Sequence, residues 1–412
     1  MPRVAGQNVV PGRYRGGMSR YRLRPTAAQE TVLLGHCAQA RYVWNLCVEQ
    51  ESHWRPGRGP MPGLSGRCRQ LSEARAENPW LAEGSVIVQQ QAVRDHGQAM
   101  ANFFAGTHCR PSWRKSGRDE GFRIVGVRPG HVRRLNRNTG EVWVPKAGWV
   151  RFRWSRQVRQ DVKSFRVTSD RAGRWHVAFA VVPQPVEGPG TGQTVGVDRG
   201  VAVSAALSTG ELLVCPGLAA PQQRRLRRLE RKLARAARGS ARRKRVRRAV
   251  ARLKARGADI RKDWCEKTST DIARRFDVIR VEDLKIANMT RSAKGTKEQP
   301  GRNVRQKAGL NREIMRSGWG RLVRRLTDKA PGRVEKISPA YTSQRCSACG
   351  HIAAGSRESQ ALFRCVACRY ACNADVNAAR NIAAGHAVTA RGGFRDAGPA
   401  NREPQPVLLP SA

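Results

Sequence analysis

Two pairs of cysteines near the C-terminal end form the most specific chemical pattern in this sequence. Two Cys-x-x-Cys pairs lie fifteen residues apart: Cys346 with Cys349, and Cys365 with Cys368. Two such turns can present four sulfur atoms to one tetrahedral zinc ion, at about 2.3 Å each. Because four thiolates leave no coordination position open, the predicted zinc site is structural. His351 is a weak substitute ligand, and Cys372 is expected to stand apart from the metal.

Three carboxylates form a second candidate constellation. Asp198 lies in TVGVDRGV, Glu282 ends the apolar run of FDVIRVEDL, and Asp375 follows the last paired cysteine by seven residues. If these side chains converged, two unit charges 4 Å apart would repel by about 4 kcal/mol at an effective dielectric near 20. Magnesium prefers such hard oxygen ligands, and ion pairs about 4 Å apart support phosphodiester hydrolysis. Spacing alone cannot show convergence, and an aspartate before a turn is also a common structural feature.

The charge balance of the chain favours a polyanionic partner. Lysine and arginine number 78 against 31 acidic residues in 412, a formal net charge of +47. Such a chain repels itself unless an anion is bound. Nucleic acid is favoured over a membrane, because no run approaches the roughly 20 apolar residues of a spanning helix and no signal-peptide core is present. Eleven cysteines without a secretory signal indicate a reducing, cytoplasmic compartment, where Cys-x-x-Cys pairs bind metal.

The N-terminal part of the chain is predicted to contain one strand and a group of helices. Residues 1–20, rich in Gly and Arg, and the polar tail at 389–412 are expected to be disordered. Thr26 is a candidate helix N-cap after an alternating segment, YRLRP, that predicts a strand. Amphipathic spacing then predicts helices over about 27–54, 67–76 and 85–105.

Residues 122–182 follow a β pattern. Short alternating segments separated by Gly, Asn or Pro predict five strands of a barrel or a small sandwich. The helices would then be an insertion after the first strand. Four tryptophans lie among arginines in this region, and they are either core and sheet-face aromatics or platforms for unpaired bases. They are Trp143, Trp149, Trp154 and Trp175.

Beyond a Pro- and Gly-rich linker at 183–193, the chain combines apolar strands with basic helices. Between residues 224 and 262 there are nineteen Lys or Arg and two acidic residues. Although a charge run is more often a solvated face, this imbalance over a helical apolar spacing predicts a hairpin that contacts phosphates. Residues 290–311 are polar and are predicted to be a mobile loop. Glu313–Lys329 is predicted to be one amphipathic helix.

Four sequence motifs occur in a characteristic order: TVGVDRGV, VIRVEDL, the YTSQRCSACG…FRCVACRY ribbon and NADVNAARNIAA. In this order they resemble the transposon-encoded TnpB (OrfB) family, RNA-guided DNA endonucleases related to type V CRISPR effectors. Looser matches (YRLRPTAAQE, NFFAG, PKAGWVRFRW and MRSGWGRLVRRL) extend the resemblance over about residues 20–388.

The resemblance implies a fold that combines an α/β domain with a β-barrel. Residues 21–182 would form a wedge β-barrel that carries a helical recognition domain, inserted at about 27–110. Residues 194–388 would form a RuvC-like nuclease domain with an RNase H-type sheet. That domain would contain the basic hairpin at 222–262 and a zinc ribbon at 342–371.

The resemblance also implies roles for individual residues. Asp198, Glu282 and Asp375 match the three catalytic acids of the family, which would bind catalytic magnesium. The four paired cysteines match its ribbon ligands, which would hold structural zinc. Arg357 matches a basic residue before the second cysteine pair and would be a phosphate-facing helper.

The expected function is magnesium-dependent cleavage of double-stranded DNA, directed by a bound guide RNA and next to a short flanking motif, at the nucleoid in the cytoplasm. Two departures bear on cutting efficiency. Arg199 stands where the family commonly has an aliphatic residue, and Cys372-Asn373-Ala374 stands where Arg or His often precedes the last acid. Alternatives are a transposase acting in strand transfer, an RNA-guided DNA binder without cleavage, and a zinc-ribbon RNA-binding protein. The last would leave Asp198 and Glu282 unexplained.

Overall fold

The structure is a computed structural model, and it describes most of the chain. The described residues are 17–55, 57, 59, 61–118, 120–158, 162–181 and 184–385. The first strand begins at Gly17, inside the segment that was predicted to be disordered. The rest of that segment and the predicted disordered tail lie outside the described residues. None of the described helices is long and apolar enough to span a bilayer.

The chain divides into two compact units. One consists of Met1–Pro185 with Gly217–Ile260, and the other of Val186–Pro216 with Arg261–Ala412. Most of the basic hairpin therefore groups with the N-terminal residues, whereas the sequence analysis placed it in the nuclease part. The domain boundaries given there stay predictions.

Seven strands of the first unit form one antiparallel sheet. They are β1 (Gly17–Arg24), β2 (Gly121–Val125), β3 (Val132–Arg134), β4 (Thr139–Val144), β5 (Gly148–Arg153), β6 (Ser164–Ser169) and β7 (Trp175–Val181). Their order is β2-β6-β7-β1-β5-β4-β3. The first strand lies centrally and pairs with β7 and then β5. The ring of Tyr21 lies 5.4 Å from those of Phe152 and Phe179, so this strand joins the aromatic core of both halves of the sheet.

Four helices of the first unit follow β1, close to the predicted bounds. They are α1 (Ala27–Ser52), α2 (Leu64–Glu77), α3 (Pro79–Ala82) and α4 (Val86–Phe104). The prediction that Thr26 caps α1 is confirmed. Its Oγ1 accepts the Gln29 N–H at 3.3 Å, and Gln29 Oε1 accepts the Thr26 N–H at 3.1 Å, a capping box that satisfies two helix-end donors.

The four tryptophans of this unit occupy different environments. Trp175 is 3% exposed and belongs to the core. Trp154 stacks on Phe152 with ring centroids 5.5 Å apart. Trp143 and Trp149 form an edge-to-face pair at 5.4 Å on adjacent strands, and Trp143 stays 38% exposed. The core interpretation is confirmed for Trp175.

Five strands of the second unit form a mixed sheet. They are β8 (Thr194–Asp198), β9 (Ala205–Leu207), β10 (Leu212–Leu213), β11 (Val278–Glu282) and β12 (Val334–Ile337), in the order β10-β9-β8-β11-β12. The strands β8, β11 and β12 are parallel, and β9 and β10 are antiparallel additions. Side chains of a strand alternate between its faces. Val195 and Val197 therefore enter the core on one face, while Gly196 and Asp198 lie on the other.

The remaining helices are α5 (Ala220–Arg235), α6 (Ala241–Arg275), α7 (Ile286–Met289), α8 (Val304–Ser317), α9 (Trp319–Lys329) and α10 (Ala374–Ala384). The predicted basic hairpin is formed by α5 and α6, but α6 continues to Arg275. The prediction of a loop up to residue 311 and of one helix over Glu313–Lys329 is wrong, since α8 begins at Val304. Gly318, at φ +78°, separates α8 from α9 because the left-handed conformation ends a helix.

The position of Gly196 sets how closely α10 approaches the sheet. A Cβ atom there would lie 2.0 Å from the carbonyl oxygen of Ala379 and 2.4 Å from the backbone nitrogen of Ala383. Both contacts are to helix backbone, which cannot rotate away. The missing side chain therefore lets α10 lie directly on β8.

We predict that Gly196→Ala destabilises the protein, because α10 must move away from β8. Overpacking of this kind costs about 1–3 kcal/mol, which corresponds to roughly 2–4 °C in melting temperature per kcal/mol for a unit of this size. Thermal unfolding followed by circular dichroism measures the change. Gly309→Ala is the matched control, because in α8 the nearest atom to the added Cβ is a flexible arginine nitrogen at 3.9 Å. Equal melting temperatures for the two variants would contradict the prediction.

Candidate active site

Two of the three predicted acids are brought together by strand register. In the parallel β8–β11 pair, Val197 lies opposite Val281. The next residue on each strand is Asp198 and Glu282, so both leave the sheet on the same face from strands about 4.8 Å apart. Glu282 is 8% exposed, and Asp198 is partly buried.

The third acid is supplied by the first turn of α10. Asn373 is the N-cap, and its Oδ1 accepts the backbone N–H groups of Asp375 and Val376 at 3.0 and 3.2 Å. The carboxylate of Asp375 reaches the segment after β8, since its Oδ2 lies 3.9 Å from the position of a Cβ on Gly200. A carboxylate at this end of a helix is favoured by the exposed N–H groups and the helix dipole.

The three carboxylates influence one another electrostatically. Burial raises the pKa of Asp198 well above its usual value, and the charges of Glu282 and Asp375 raise it further. The backbone N–H of Arg199 and the Arg357 guanidinium act in the opposite direction. The three acids therefore lie close together on one face of the sheet, although their oxygen atoms are not all within 4.8 Å of one another.

Two arginines contribute positive charge to this face. Arg357 Nη2 lies 3.4 Å from Asp375 Oδ1, with both side chains mostly buried. Arg199 is 6% exposed, and its Nη2 donates to the backbone oxygen of Glu282. The departure from the family pattern at Arg199 thus places a buried cation against the strand that carries Glu282.

Thr342 is a site residue that the sequence analysis missed. Its Oγ1 donates to Glu282 Oε1 at 2.6 Å, and the residue is 6% exposed. Its carbonyl oxygen accepts from Asn381 Nδ2 at 2.9 Å. The hydroxyl holds one oxygen of Glu282 in place. The threonine in the YTSQRC segment precedes the cysteines, and nothing in its spacing pointed to the acid 60 positions earlier.

The four paired cysteines converge, as predicted. The sulfur atoms all lie within 4.8 Å of one another, with Cys346–Cys368 at 3.7 Å and Cys349–Cys365 at 3.6 Å. Four sulfurs at 2.3 Å around one zinc ion are about 3.8 Å apart. The donor set and its size therefore fit a tetrahedral zinc site. The backbone N–H groups of Cys368 and Ala367 help to lower the pKa of Cys365 to about 6, whereas the pKa values of Cys346 and Cys368 are raised, so metal binding would release protons from this group.

Neither His351 nor Cys372 belongs to this group of sulfur ligands. Among the residues that the structure describes, only these four cysteines form a group of three or more His, Cys, Asp or Glu side chains with ligand atoms all within 4.8 Å of one another. His351 is exposed and uses its backbone oxygen to accept the Cys346 N–H at 2.8 Å. Cys372 lies in β14 (Ala371–Asn373), which pairs with β13 (Leu362–Arg364).

Two asparagines of α10 connect the first cysteine turn to the helix that carries Asp375. Asn377 Oδ1 accepts the Ser347 N–H at 2.9 Å, and its Nδ2 donates to the oxygen of Arg345 at 2.7 Å. Asn381 Nδ2 also reaches the oxygen of Arg345, at 2.7 Å. Both asparagines are buried. The NADVNAARN segment thus holds the ribbon against α10.

The carboxylate group fits magnesium by the chemistry of its donors. Three carboxylates supply only hard oxygen ligands, which magnesium prefers. Burial is the largest cause of the raised pKa of Asp198, and the repulsion from Glu282 and Asp375 that adds to it is of the kind that a bound cation removes. Asp198, Glu282 and Asp375 would be the residues that hold the ion.

Comparison with known proteins identifies the family. This chain is similar over almost its whole length to "Putative RNA-guided DNA endonuclease InsQ" of Escherichia coli K12. The two are 37% identical, and the match covers 95% of this chain and 98% of the relative. The chain belongs to the TnpB (OrfB) family. A second relative, "Putative RNA-guided DNA endonuclease" of Streptomyces pristinaespiralis, is 31% identical over 90% of both chains.

Family models match three parts of this TnpB-family chain. They are described as "Probable transposase" over residues 176–293, "Helix-turn-helix domain" over 19–59, and "Cas12f1-like, TNB domain" over 319–382. In the described residues of the 19–59 window, the structure has most of β1 and the helix α1. A Cas12f1–sgRNA–target DNA complex has a similar fold, with a TM-score of 0.54 at 14% identity over 86% of this chain and 82% of the other.

We predict that Cys365→Ser removes zinc and loosens α10. The variant would lose one of four thiolate ligands, and the ribbon that contacts Asn377 would no longer be fixed. Zinc content by mass spectrometry and amide hydrogen exchange over 374–384 measure both effects. Cys372→Ser is the control and should keep both at wild-type values. A Cys365→Ser protein with full zinc and a protected α10 would contradict the prediction.

We also predict that Thr342→Val destabilises the protein by about 1–3 kcal/mol, because a buried carboxylate oxygen loses a hydrogen-bond donor. Valine has nearly the same shape as threonine, so packing changes little. Thr342→Ser retains the hydroxyl and is expected to stay close to wild type. Urea unfolding of the three proteins measures the difference. If the valine and serine variants are equally stable, the bond to Glu282 contributes nothing.

Proposed function

We propose that this chain is a magnesium-dependent DNA endonuclease directed by a bound guide RNA. The observation that carries the proposal is the convergence of Asp198, Glu282 and Asp375 from three elements onto one face of a sheet. The two relatives that match 90% or more of the chain carry the name RNA-guided DNA endonuclease, which supports the choice of substrate and guide. The guide RNA and double-stranded DNA are the partners, and the DNA target places the protein at the nucleoid in the cytoplasm.

The three carboxylates would act together on the scissile phosphate. They would hold magnesium, which supplies an activated water and stabilises the leaving oxygen in phosphodiester hydrolysis. Thr342 orients one oxygen of Glu282 through its 2.6 Å bond. Arg357, now 3.4 Å from Asp375, is placed to contact a phosphate oxygen of the bound strand.

The finer description of the fold is part of the same proposal. The five-stranded sheet with α10 on one face would be a RuvC-like, RNase H-type nuclease core, and residues 342–371 its zinc ribbon. The seven-stranded sheet of the first unit would be the wedge barrel, with α1 to α4 as the inserted recognition helices. The edge strands of this sheet are β2 and β3. In the described residues these two strands are not paired with each other, so the sheet is not closed by hydrogen bonds between its edges.

The basic hairpin is suited to the nucleic-acid backbone. Of its nineteen Lys and Arg residues between 224 and 262, sixteen are exposed. Arg243 Nη1 donates to the carbonyl oxygens of Leu233 and Ala236, both at 2.7 Å, which joins the two helices at their turn. Charges held on such a scaffold release counterions from phosphates, so binding should weaken steeply with salt.

A strand-transfer activity is the second candidate, because a "Probable transposase" model matches residues 176–293. The same carboxylates could serve transesterification as well as hydrolysis. Cleavage that requires a matched guide RNA favours the endonuclease, and joining of DNA ends without RNA favours the transposase.

The test is cleavage of a plasmid by the purified ribonucleoprotein. RNA that co-purifies with the protein is sequenced, and a plasmid carrying the complementary sequence beside randomised flanking bases is the substrate. We expect magnesium-dependent cutting by wild type and a loss of about a hundredfold to a thousandfold in Asp198→Ala, the effect of removing one stabilising group from an active site.

Asp263→Ala is the matched control, because Asp263 is an exposed residue of α6 that pairs with Lys267. It should cut like wild type. Equal cutting by wild type and Asp198→Ala would refute the catalytic assignment. If the wild-type ribonucleoprotein binds matched DNA but does not cut it in magnesium, the protein is an RNA-guided DNA binder.

A further inference from the structure

Tyr341 has an unusual backbone conformation beside the carboxylate face. Its φ is +59°, in the left-handed region, where a bulky side chain is a genuine outlier. Among the described residues, the other non-glycine residues with a positive φ are Lys146, Asn303 and Arg369. Tyr341 is therefore the aromatic residue of this set. Glycine would adopt this conformation without steric penalty. Tyr341 is also 49% exposed, so burial of the ring does not account for it.

The surrounding turn fixes the backbone of Tyr341 close to Glu282. The carbonyl oxygen of Tyr341 accepts the backbone N–H groups of Gln344 and Arg345, both at 3.0 Å. The next residue is Thr342, which is buried and bonded to Glu282 Oε1 at 2.6 Å. Neighbouring Cα atoms are about 3.8 Å apart, so the Cα of Tyr341 lies within about 9 Å of that carboxylate oxygen. A tyrosine ring can span most of that distance.

We propose that Tyr341 is a binding position for an unpaired nucleobase of the DNA strand that is cut. The inference rests on the proposed endonuclease function and adds a contact to the base next to the scissile phosphate. Stacking on a tyrosine ring is sequence-tolerant because every base has a π-face, which suits an enzyme whose sequence choice comes from its guide. The residue is half-exposed, and backbone strain of this kind is characteristic of ligand-contacting positions.

The local charges fit a nucleotide as the occupant. Arg357 lies against Asp375, and Arg345 follows Tyr341 by four residues in the same turn. A nucleotide carries a phosphate and a base a few ångströms apart, so its phosphate can lie at the carboxylates and Arg357 while its base reaches Tyr341. The pairing of one ring with nearby cations is the usual arrangement for a single strand.

The first test uses the full-length protein with its co-purified guide RNA and a matched DNA. Tyr341→Gly removes the ring and relieves the left-handed strain, and Tyr341→Phe keeps the ring. We expect the melting temperature of Tyr341→Gly to stay level or rise, its DNA affinity in gel shift to stay at the wild-type value, and its cutting rate at saturating DNA to fall about tenfold. Tyr341→Phe should cut like wild type. Asn303→Gly relieves the same strain elsewhere and should also cut like wild type.

The second test detects stacking directly. Single 2-aminopurine substitutions are placed at successive positions around the cut, in complexes kept uncut by Asp198→Ala. At one position the 2-aminopurine fluorescence should be quenched when residue 341 is the native tyrosine or the phenylalanine of Tyr341→Phe. The same position should be several-fold brighter with Tyr341→Gly.

The outcomes separate this inference from the proposed function. If wild type does not cut a matched plasmid, the proposed function has failed. If wild type cuts and Tyr341→Gly cuts equally fast, with no position of 2-aminopurine changing, the nucleobase contact is overturned. A Tyr341→Gly protein that loses melting temperature and cutting together would assign the tyrosine a structural role instead.

Discussion

The second unit depends on holding three mutually repelling carboxylates on one face of a sheet. Asp198 and Glu282 are neighbours because β8 and β11 are parallel and in register. Asp375 joins them only because α10 lies directly on β8. Burial raises the pKa of Asp198, and the charges of Glu282 and Asp375 raise it further. Several other features of this unit restrain the three charges from separating.

These restraints come from short polar contacts and one missing side chain. Gly196 removes the atom that would separate α10 from the sheet. Asn377 and Asn381 attach α10 to the first cysteine turn, and Thr342 attaches the same turn to Glu282. The ribbon therefore acts on two of the three acids, by different bonds. A zinc ion there would serve the site by fixing backbone, because four thiolates leave it no position for a reactant.

Charge is distributed differently at the site and on the hairpin. Near the carboxylates, Arg199 and Arg357 offset part of the negative charge, Arg199 from within the protein and Arg357 beside Asp375. On α5, the turn after it and the first half of α6, sixteen basic side chains face solvent. The first arrangement limits repulsion inside a partly buried cluster, and the second leaves a large positive surface for a polyanion. The net charge of +47 is a property of the whole chain, so it indicates a nucleic-acid partner without locating the chemistry.

The sequence by itself determined the chemical types and most of the elements. Cys-x-x-Cys spacing determined a four-cysteine cluster that fits zinc, because four ligands within one short segment need little help from the rest of the fold. Strand alternation, the Thr26 cap and helical spacing are also local, and the structure agrees with them. Local patterns failed at α8, whose polar sequence has few apolar positions to reveal a helix, and at Gly318, which divides a continuous apolar pattern.

Only the tertiary structure decided how distant residues meet. Glu282 follows Asp198 by 84 positions, and Asp375 follows Glu282 by 93. Their proximity follows from strand register and from the packing of α10 against Gly196. Thr342 and Arg199 gained their roles in the same way, through single hydrogen bonds to a residue far along the chain. The physical reason is that a side chain's type is encoded locally, whereas the distance between two side chains depends on the packing of everything between them.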